Sequence, residues 1–308
     1  MTLEELHQAI VTGEIDELIR VVEARQRKIL SQIADAICAR PEVRLVLVAG
    51  GSAAGKTTTA KRLATQLRVN ERAAMHLSTD DYFVGDARNP RDENGEFDYE
   101  HVRCVDIECL VDDLNALFRG EQIRERRFDF IRHEPAYTDK TLRLPENGFV
   151  VLEGIHALNP ILTEGVEESR KFRVFVEPQP SLEILPGRKP SAREARCLRR
   201  LVRDNQFRKL DPSMTIRLWP KVIAGEEKWI EPYRAQANVV FDSYLVYEMA
   251  VLKAYVGGLL VLARKELGDV PEVMTKMLML ENVPVLSPDL VPGDSIIRET
   301  IGGSQLDY

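Results

Sequence analysis

The chain has 308 residues, 44% of them hydrophobic and 30% charged, with a formal net charge of −7. That length holds one large domain or two modest ones around an ample core. The acidic balance argues against a nucleic-acid surface as the main role and suits a cytoplasmic enzyme.

No apolar run reaches the roughly 18 residues that a membrane span needs, because Val251 to Ala263 is interrupted by Lys253 and two glycines. The N-terminus is acidic from Glu4 and offers no signal-peptide core. Cys38, Cys104, Cys109 and Cys197 lack the paired spacing of a zinc site. They read as core or surface thiols in a reducing compartment.

Thr2 and Glu5 form a capping box that predicts a short helix to Val11, broken at Thr12-Gly13. A second, amphipathic helix is predicted from Glu14 to about Ala39, with Leu18, Val21, Val22, Leu30, Ile33, Ala34 and Ile37 on its apolar side; Pro41 closes it. This opening segment reads as packing or partner-binding surface rather than chemistry.

Arg44 to Ala49 is branched and apolar and predicts a buried central strand. Gly50-Gly51-Ser52-Ala53-Ala54-Gly55-Lys56-Thr57 follows, a G-x-x-x-x-G-K-T run, and after it Ala60, Leu63, Ala64 and Leu67 recur at helical spacing. Strand, glycine loop and helix are the context that a phosphate-binding loop requires. Glycines let backbone N–H groups turn inward around a phosphate, and the helix N-terminus adds partial positive charge. Lys56 is placed to reach the β- and γ-phosphates and the Thr57 hydroxyl to hold Mg²⁺, with Thr58 completing the cradle. The bare pattern would arise by chance in about one per cent of chains this long, and the flanking strand and helix lower that further. The chain is expected to bind a nucleoside triphosphate.

Arg72 to Thr79 predicts a second strand, ending in Asp80-Asp81-Tyr82-Phe83. In a parallel α/β sheet the site lies at the carboxyl ends of the strands, so at least one of Asp80 and Asp81 should face the phosphates. An aspartate there can hold Mg²⁺ or take a proton from an attacking hydroxyl; the bland alternative is a helix cap. Gly85 to Phe97 is a loop and Ile107 to Phe118 an amphipathic helix. Arg124 to His133 alternates charge with aromatics. It suits an edge hairpin, or a wall of Phe128, Phe130, Asp129 and His133 that stacks on and hydrogen-bonds a heterocyclic ring; both readings stand.

Gly148 to His156 is another buried strand ending in an acid, Glu153, where phosphate-loop proteins keep the Mg²⁺ shell. Gly154 permits close backbone approach, and His156 reads as structural. Phe172 to Val176 is a further strand. From Arg193 to Lys209 seven basic residues meet only Glu194 and Asp204. A paired solvent face is one reading. The surplus of base in an acidic chain instead calls for an anion such as a triphosphate, met by a closing lid of arginines. Ala237 to Ser243 predicts the last strand and Tyr247 to Ala263 an apolar helix. The tail from Gly268 carries a short Met-rich helix at Val273 to Leu280 and an extended run to Tyr308. The expected divisions are 1–41, 42–268 and 269–308.

The segments GGSAAGKTTTAKRL, LSTDDYF, EFDYEH, RFDFIRH, VVLEGIHAL and RRLVRDNQFRKLD occur in that order. With them the chain, from about Val43 to Tyr255, resembles the phosphoribulokinase/uridine kinase family, and within it the uridine–cytidine kinases. LWPKVIAGEEKWIEPYRAQANVVFDSYLVYEMAVLK and the closing SIIRETIGGS look like the bacterial uridine-kinase-like nucleoside kinases. The resemblance implies a P-loop NTPase fold: three layers, α/β/α, with a mostly parallel sheet and an arginine-rich lid. It implies ATP and Mg²⁺ as cofactors and a nucleoside-like small-molecule acceptor. Asp80 falls where the family keeps its catalytic base, close to the metal, and Asp98 where it holds the ribose hydroxyls. Phe128, Phe130 and His133 match base-contacting positions, and Tyr82 joins them in the acceptor site. Arg203 and Arg208 match lid arginines on the phosphates, and Glu153 the acid of the Mg²⁺ shell. Related kinases are often dimers or tetramers, so a homo-oligomer is consistent by analogy.

Three departures bear on the acceptor more than on the reaction. Phe128 stands where uridine–cytidine kinases generally have Tyr, Glu134-Pro135-Ala136-Tyr137 follows His133, and Asp81 stands where Ser is common. A kinase of the same fold acting on a sugar phosphate, a cyclitol or a pantothenate-like molecule is therefore the first alternative. A nucleotide-dependent regulatory binding protein is the second, although no N-K-x-D base-reading segment is present.

Overall fold

A computed structural model describes residues 1–129, 132–185 and 187–306. Five strands form a parallel sheet: β1 (Leu45–Ala49), β2 (Ala74–Ser78), β5 (Phe149–Glu153), β6 (Lys171–Glu177) and β7 (Val239–Asp242), in the order β2-β5-β1-β6-β7. Two more, β3 (Gln122–Asp129) and β4 (Glu134–Arg143), pair antiparallel as a separate hairpin with a bulge between Arg124 and Arg126. The helices are α1 (Leu3–Thr12), α2 (Ile15–Cys38), α3 (Lys56–Val69), α4 (Ile107–Phe118), α5 (Ala192–Arg208), α6 (Pro212–Trp229), α7 (Glu231–Arg234), α8 (Glu248–Leu267), α9 (Pro271–Leu280) and α10 (Arg298–Ile301).

β1 and β5 are buried along their whole length, as continuous apolar runs in a doubly covered sheet should be. On one face Val46, Val48, Val151 and Val174 pack with Leu30 and Ile33 of α2 and Leu63 and Leu67 of α3. On the other, Leu45, Leu47, Val150 and Leu152 pack with Leu110, Leu114 and Leu117 of α4. The result is three layers, α/β/α. A further core joins α1, the start of α2, α5, α8 and α9, around Leu6, Leu198, Leu201, Tyr247 and Val256. Among the described residues no helix is long and apolar enough to cross a membrane.

The capping box at Thr2 and Glu5 is present, and the helix ends at Gly13 in the left-handed conformation. Along α2 the expected apolar side needs correction. Val21 is exposed, while Glu23 and Gln26 are buried in the stripe between Ile19 and Leu30. The stripe tolerates them because Glu23 accepts from the Tyr247 hydroxyl at 2.7 Å and sits 3.8 Å from Arg62, and the Gln26 amide donates to the Tyr244 carbonyl.

One element differs from the sequence expectation, and another lies where the sequence reading gave none. The extended tail is instead folded, with a 3-10 turn at Pro288–Leu290 and α10 beyond it. And α6 forms across Pro220, behind an Asp211 cap with Pro212 in its first turn.

Candidate active site

The phosphate loop leaves β1 at the middle of the sheet. A side chain on Gly50 would fall on the Val176 carbonyl, so only glycine lets the loop turn there. Ala53 and Gly55 follow at φ 58° and 89°, in the left-handed region, and α3 starts at Lys56. The Lys56 ammonium is buried and donates to the Gly51 carbonyl at 3.0 Å, lying back across the loop.

The sheet register aligns the chemistry. Val48 of β1 pairs with Glu153 of β5, and Glu153 with Ser78 of β2, so three strands end side by side at the loop. The Thr57 hydroxyl donates to Glu153 Oε1 at 3.1 Å and the Ser78 hydroxyl to the same oxygen at 2.8 Å. Burial pushes Glu153 up to about 7, and the negative charge of Asp80 adds to the rise while Lys56 opposes it. A Cβ at Gly154 would collide with the Thr79 hydroxyl, which is why the chain just after Glu153 can pass so close to the β2 exit. Hydroxyl and carboxylate oxygens converging on one buried point, with an acid whose charged form burial disfavours, fit Mg²⁺.

Asp80 lies in a 3-10 turn (Thr79–Tyr82) whose cap is Ser78, close enough to Glu153 and Arg208 for its charge to act on both. Asp81 turns the other way, to Arg127 of the hairpin at 3.4 Å, and burial pushes it up to about 6. Of the two aspartates at this strand end, Asp80 is the one on the phosphate side.

The basic helix α5 requires a correction. Its arginines do have protein partners, supplied from distant parts of the chain. Arg193 pairs with Glu227 and Arg196 with Glu226, both on α6, and Arg199 with Glu248 of α8. Arg200, Arg203 and Arg208 all converge on the buried carboxylate of Asp204. Counting acids along the helix missed the carboxylates that folding brings in. Arg203 also pushes the guanidinium of Arg208 down to about 10, by like-charge repulsion. Asp204 thus gathers three arginines at this end of the helix, close to Asp80. Deeper in, Arg200 donates to the Ser52 hydroxyl at 2.8 Å, and Arg199 reaches the carbonyls of Ala53 and Ala54 at 3.4 and 3.3 Å. The lid helix therefore rests directly on the phosphate loop.

The expected acceptor residues are more dispersed. Asp98 is half-buried and its carboxylate accepts the backbone N–H of Glu100 at 3.2 Å. Tyr82 is buried, with its hydroxyl donating to Asp113 at 2.8 Å, which directs it into the core. Phe128 meets Phe83 edge-on at 5.5 Å. His133 is exposed at φ 55°, with its Nδ1 3.4 Å from Asp86. Phe130 lies outside the described residues. His156 is buried and held neutral, pushed down to about 4 chiefly by desolvation.

Sequence reasoning missed four acids around the loop: Glu100, Glu226, Glu248 and Glu299. Burial pushes Glu100 up to about 7, with Arg200 and Lys56 opposing and Glu226 adding to the rise, and a side chain on Gly225 of α6 would strike it. None of the four belongs to a local pattern, because each reaches the loop from a different element. The one available signal was the acidic pair in GEEK, which sits one helix away from the arginine run.

Known proteins resemble this chain. The profile of the Phosphoribulokinase / Uridine kinase family matches residues 45–250. A uridine kinase of Halalkalibacterium halodurans is 25% identical over 197 residues, 64% of this chain and 84% of that protein. One from Halobacterium salinarum is 29% identical over 195 residues, 63% of this chain and 77% of that protein. A solved structure described as a possible uridine kinase from Bacillus stearothermophilus has 22% identity and a TM-score of 0.46, covering 71% of this chain and 100% of that one. With the family profile spanning the loop, both acidic strand ends and the arginine helix, the chain belongs to the phosphoribulokinase/uridine kinase family of kinases.

Proposed function

We propose that this kinase uses Mg·ATP and passes the γ-phosphate to a hydroxyl group, with the 5′-hydroxyl of a nucleoside such as uridine or cytidine as the leading acceptor. The observation that carries the reading is the meeting of Lys56, Thr57, Glu153 and Asp80 at three adjoining strand ends, under an arginine helix that touches the loop. Loop residues Gly50 to Thr58 would hold the phosphates, and Lys56 would neutralise charge on the γ-group. Thr57 and Glu153, with Asp80 nearby, would hold Mg²⁺, which would offset the negative charge that develops on the phosphates. Asp80 would take the proton from the acceptor hydroxyl as its oxygen attacks phosphorus, the bond to the bridging oxygen breaks and ADP leaves. Arg203 and Arg208 would meet the spreading negative charge from the lid side. Asp98, Phe128, Phe130 and His133 would define the acceptor end.

A polyhydroxylated, sugar-like acceptor is the second reading. It is favoured by Glu100, a buried carboxyl two residues from Asp98 with one oxygen unpartnered among the described residues, and by Phe128, which brings no hydroxyl to a base. A panel of ribonucleosides, deoxynucleosides, free and phosphorylated sugars, cyclitols and pantothenate, read by ADP release, tests both. Stimulation by uridine or cytidine is expected. If only sugars or cyclitols stimulate, the second reading replaces the first; no stimulation by any hydroxyl compound overturns both.

A further inference from the structure

Two residues of the phosphate loop already donate to carboxylates of this same chain. At the entry of the loop the Ser52 N–H donates to Glu226 Oε1 at 2.9 Å. Glu226 is buried on α6 and held by both terminal nitrogens of Arg196, one of which also donates to the Ser52 carbonyl at 3.1 Å. At the far end, in the first turn of α3, Thr58 donates to Glu299 Oε2, from its hydroxyl at 2.9 Å and from its N–H at 3.4 Å. Loop amides and a helix N-terminus select anions. A carboxylate offers them the same charged oxygen acceptors that a phosphate would.

Glu299 is held there by a tail with a structure of its own. Ile296 packs so tightly on Gly55 that a Cβ at that glycine would have no room, and Ser295 and Ile297 are fully buried. The Arg298 guanidinium gathers the carbonyls of Pro288, Val291, Pro292 and Gly302, closing the segment on itself. α10 also packs on α5, with Gly302 beside the ring of Phe207. The tail thus touches the loop and the lid helix together.

We propose that the segment 284–304 is a working part of the nucleotide site, and that Glu226 and Glu299 are internal occupants of the two ends of its phosphate cradle. An incoming triphosphate exchanges with both carboxylates, so its arrival moves α6 through Glu226 and the tail through Glu299. Arg196, released from Glu226, becomes available to phosphate. The inference rests on the chain using a nucleoside triphosphate, and it gives the segments around Glu226 and Glu299 a role, that of a gate, that the sequence reading did not assign.

The test is binding of Mg·ATP and of Mg·tripolyphosphate to the full chain and to its E299A and E226Q variants by calorimetry. Amide hydrogen exchange across 284–304 and melting temperatures accompany it. E226Q keeps a hydrogen-bonding amide for Arg196, so the lid retains a partner. Each variant is expected to bind both ligands about tenfold more tightly, because one charge-assisted competitor has gone. In the native chain Mg·ATP is expected to speed exchange across Ser295 to Gly302, and in E299A that response is lost. Unchanged or weaker binding by an E299A protein that melts normally, with tail exchange indifferent to ATP, overturns the proposal. If the native chain binds neither ligand and both variants bind, the gate is supported; if none binds, it is refuted. Tighter binding by the variants without phosphate transfer to any hydroxyl compound would defeat the nucleoside kinase reading and leave the gate standing.

Discussion

The hydroxyls of Thr57, at the start of α3, and Ser78, at the end of β2, donate to a single oxygen of Glu153 at 3.1 and 2.8 Å. A carboxylate so placed can exchange hydroxyl protons for a cation without moving its backbone. E153Q is expected to raise the Mg²⁺ concentration for half-maximal activity by about tenfold or more. A Mg²⁺ titration of ADP release at saturating ATP checks it, and an unchanged midpoint would remove Glu153 from the metal site.

Asp80, set by the Ser78 cap and close enough to Arg208 for its charge to act there, is the proposed general base. D80N is expected to lower kcat by about 10²-fold or more while ATP affinity stays near the native value, since proton transfer of this kind contributes about that much. Single-turnover kinetics beside equilibrium nucleotide binding would expose the split. Full turnover in D80N would assign the base elsewhere.

Arg208, repelled by Arg203, shares the Asp204 carboxylate with Arg200 and Arg203 and lies within reach of the charge of Asp80; its proposed role is on the transferring phosphoryl group. R208A should reduce kcat by about 10²-fold or more with a smaller change in acceptor KM, because the group acts on charge that grows in the transition state. Equal effects on kcat and on ground-state ATP affinity would make it a simple binding residue.

Glu100 titrates at about 7 in the fold against an ordinary 4.5. The folded chain therefore holds this proton more tightly than the unfolded chain, and stability from Glu100 falls as pH rises from about 4.5 to about 7. The melting temperature of E100Q minus that of the native chain should grow across that window and level off above it. Differencing cancels the opposite trend from buried His76 and His156, whose depressed values make the native chain less stable as pH falls. A flat difference would show that Glu100 is not buried in the folded chain.

The pair Arg199–Glu248 is almost wholly removed from solvent, with its nitrogens also bonded to Ser243. Removing one partner of such a pair leaves an uncompensated charge, so E248A is expected to cost about 3–5 kcal/mol of stability. Urea unfolding measures it. A loss below about 1 kcal/mol would mean that water reaches the pair.

Much of this architecture was legible in the residues. The apolar runs before Gly50 and Glu153 are doubly buried strands, and such runs have few other places to go. The acids that end β2 and β5 lie beside the loop because parallel strands bring their carboxyl ends to one edge. What escaped reading around the phosphate loop has one physical cause, the long sequence separation of the contacts. Glu226, Glu248 and Glu299 meet the loop or its arginines from beyond residue 225, and no local periodicity records that. The buried Glu23 and Gln26 were invisible for the same reason, since their partners lie more than thirty residues away. The hairpin strand β4 was missed because it is almost wholly exposed and shows no apolar alternation.

Arg199 fixes the middle of α5 to the floor of the loop through the carbonyls of Ala53 and Ala54. Drawing a guanidinium out of so dry a place is expensive, so the helix cannot swing from its base like a hinged flap. If the helix closes over a bound nucleotide, a pivot one turn before Arg203 is the movement this anchor allows. Such a stroke would belong to the outer arm, which ends at Lys209 in the left-handed conformation. A short lever of that kind would press its arginines down while Arg199 keeps its hold on the alanine carbonyls beneath.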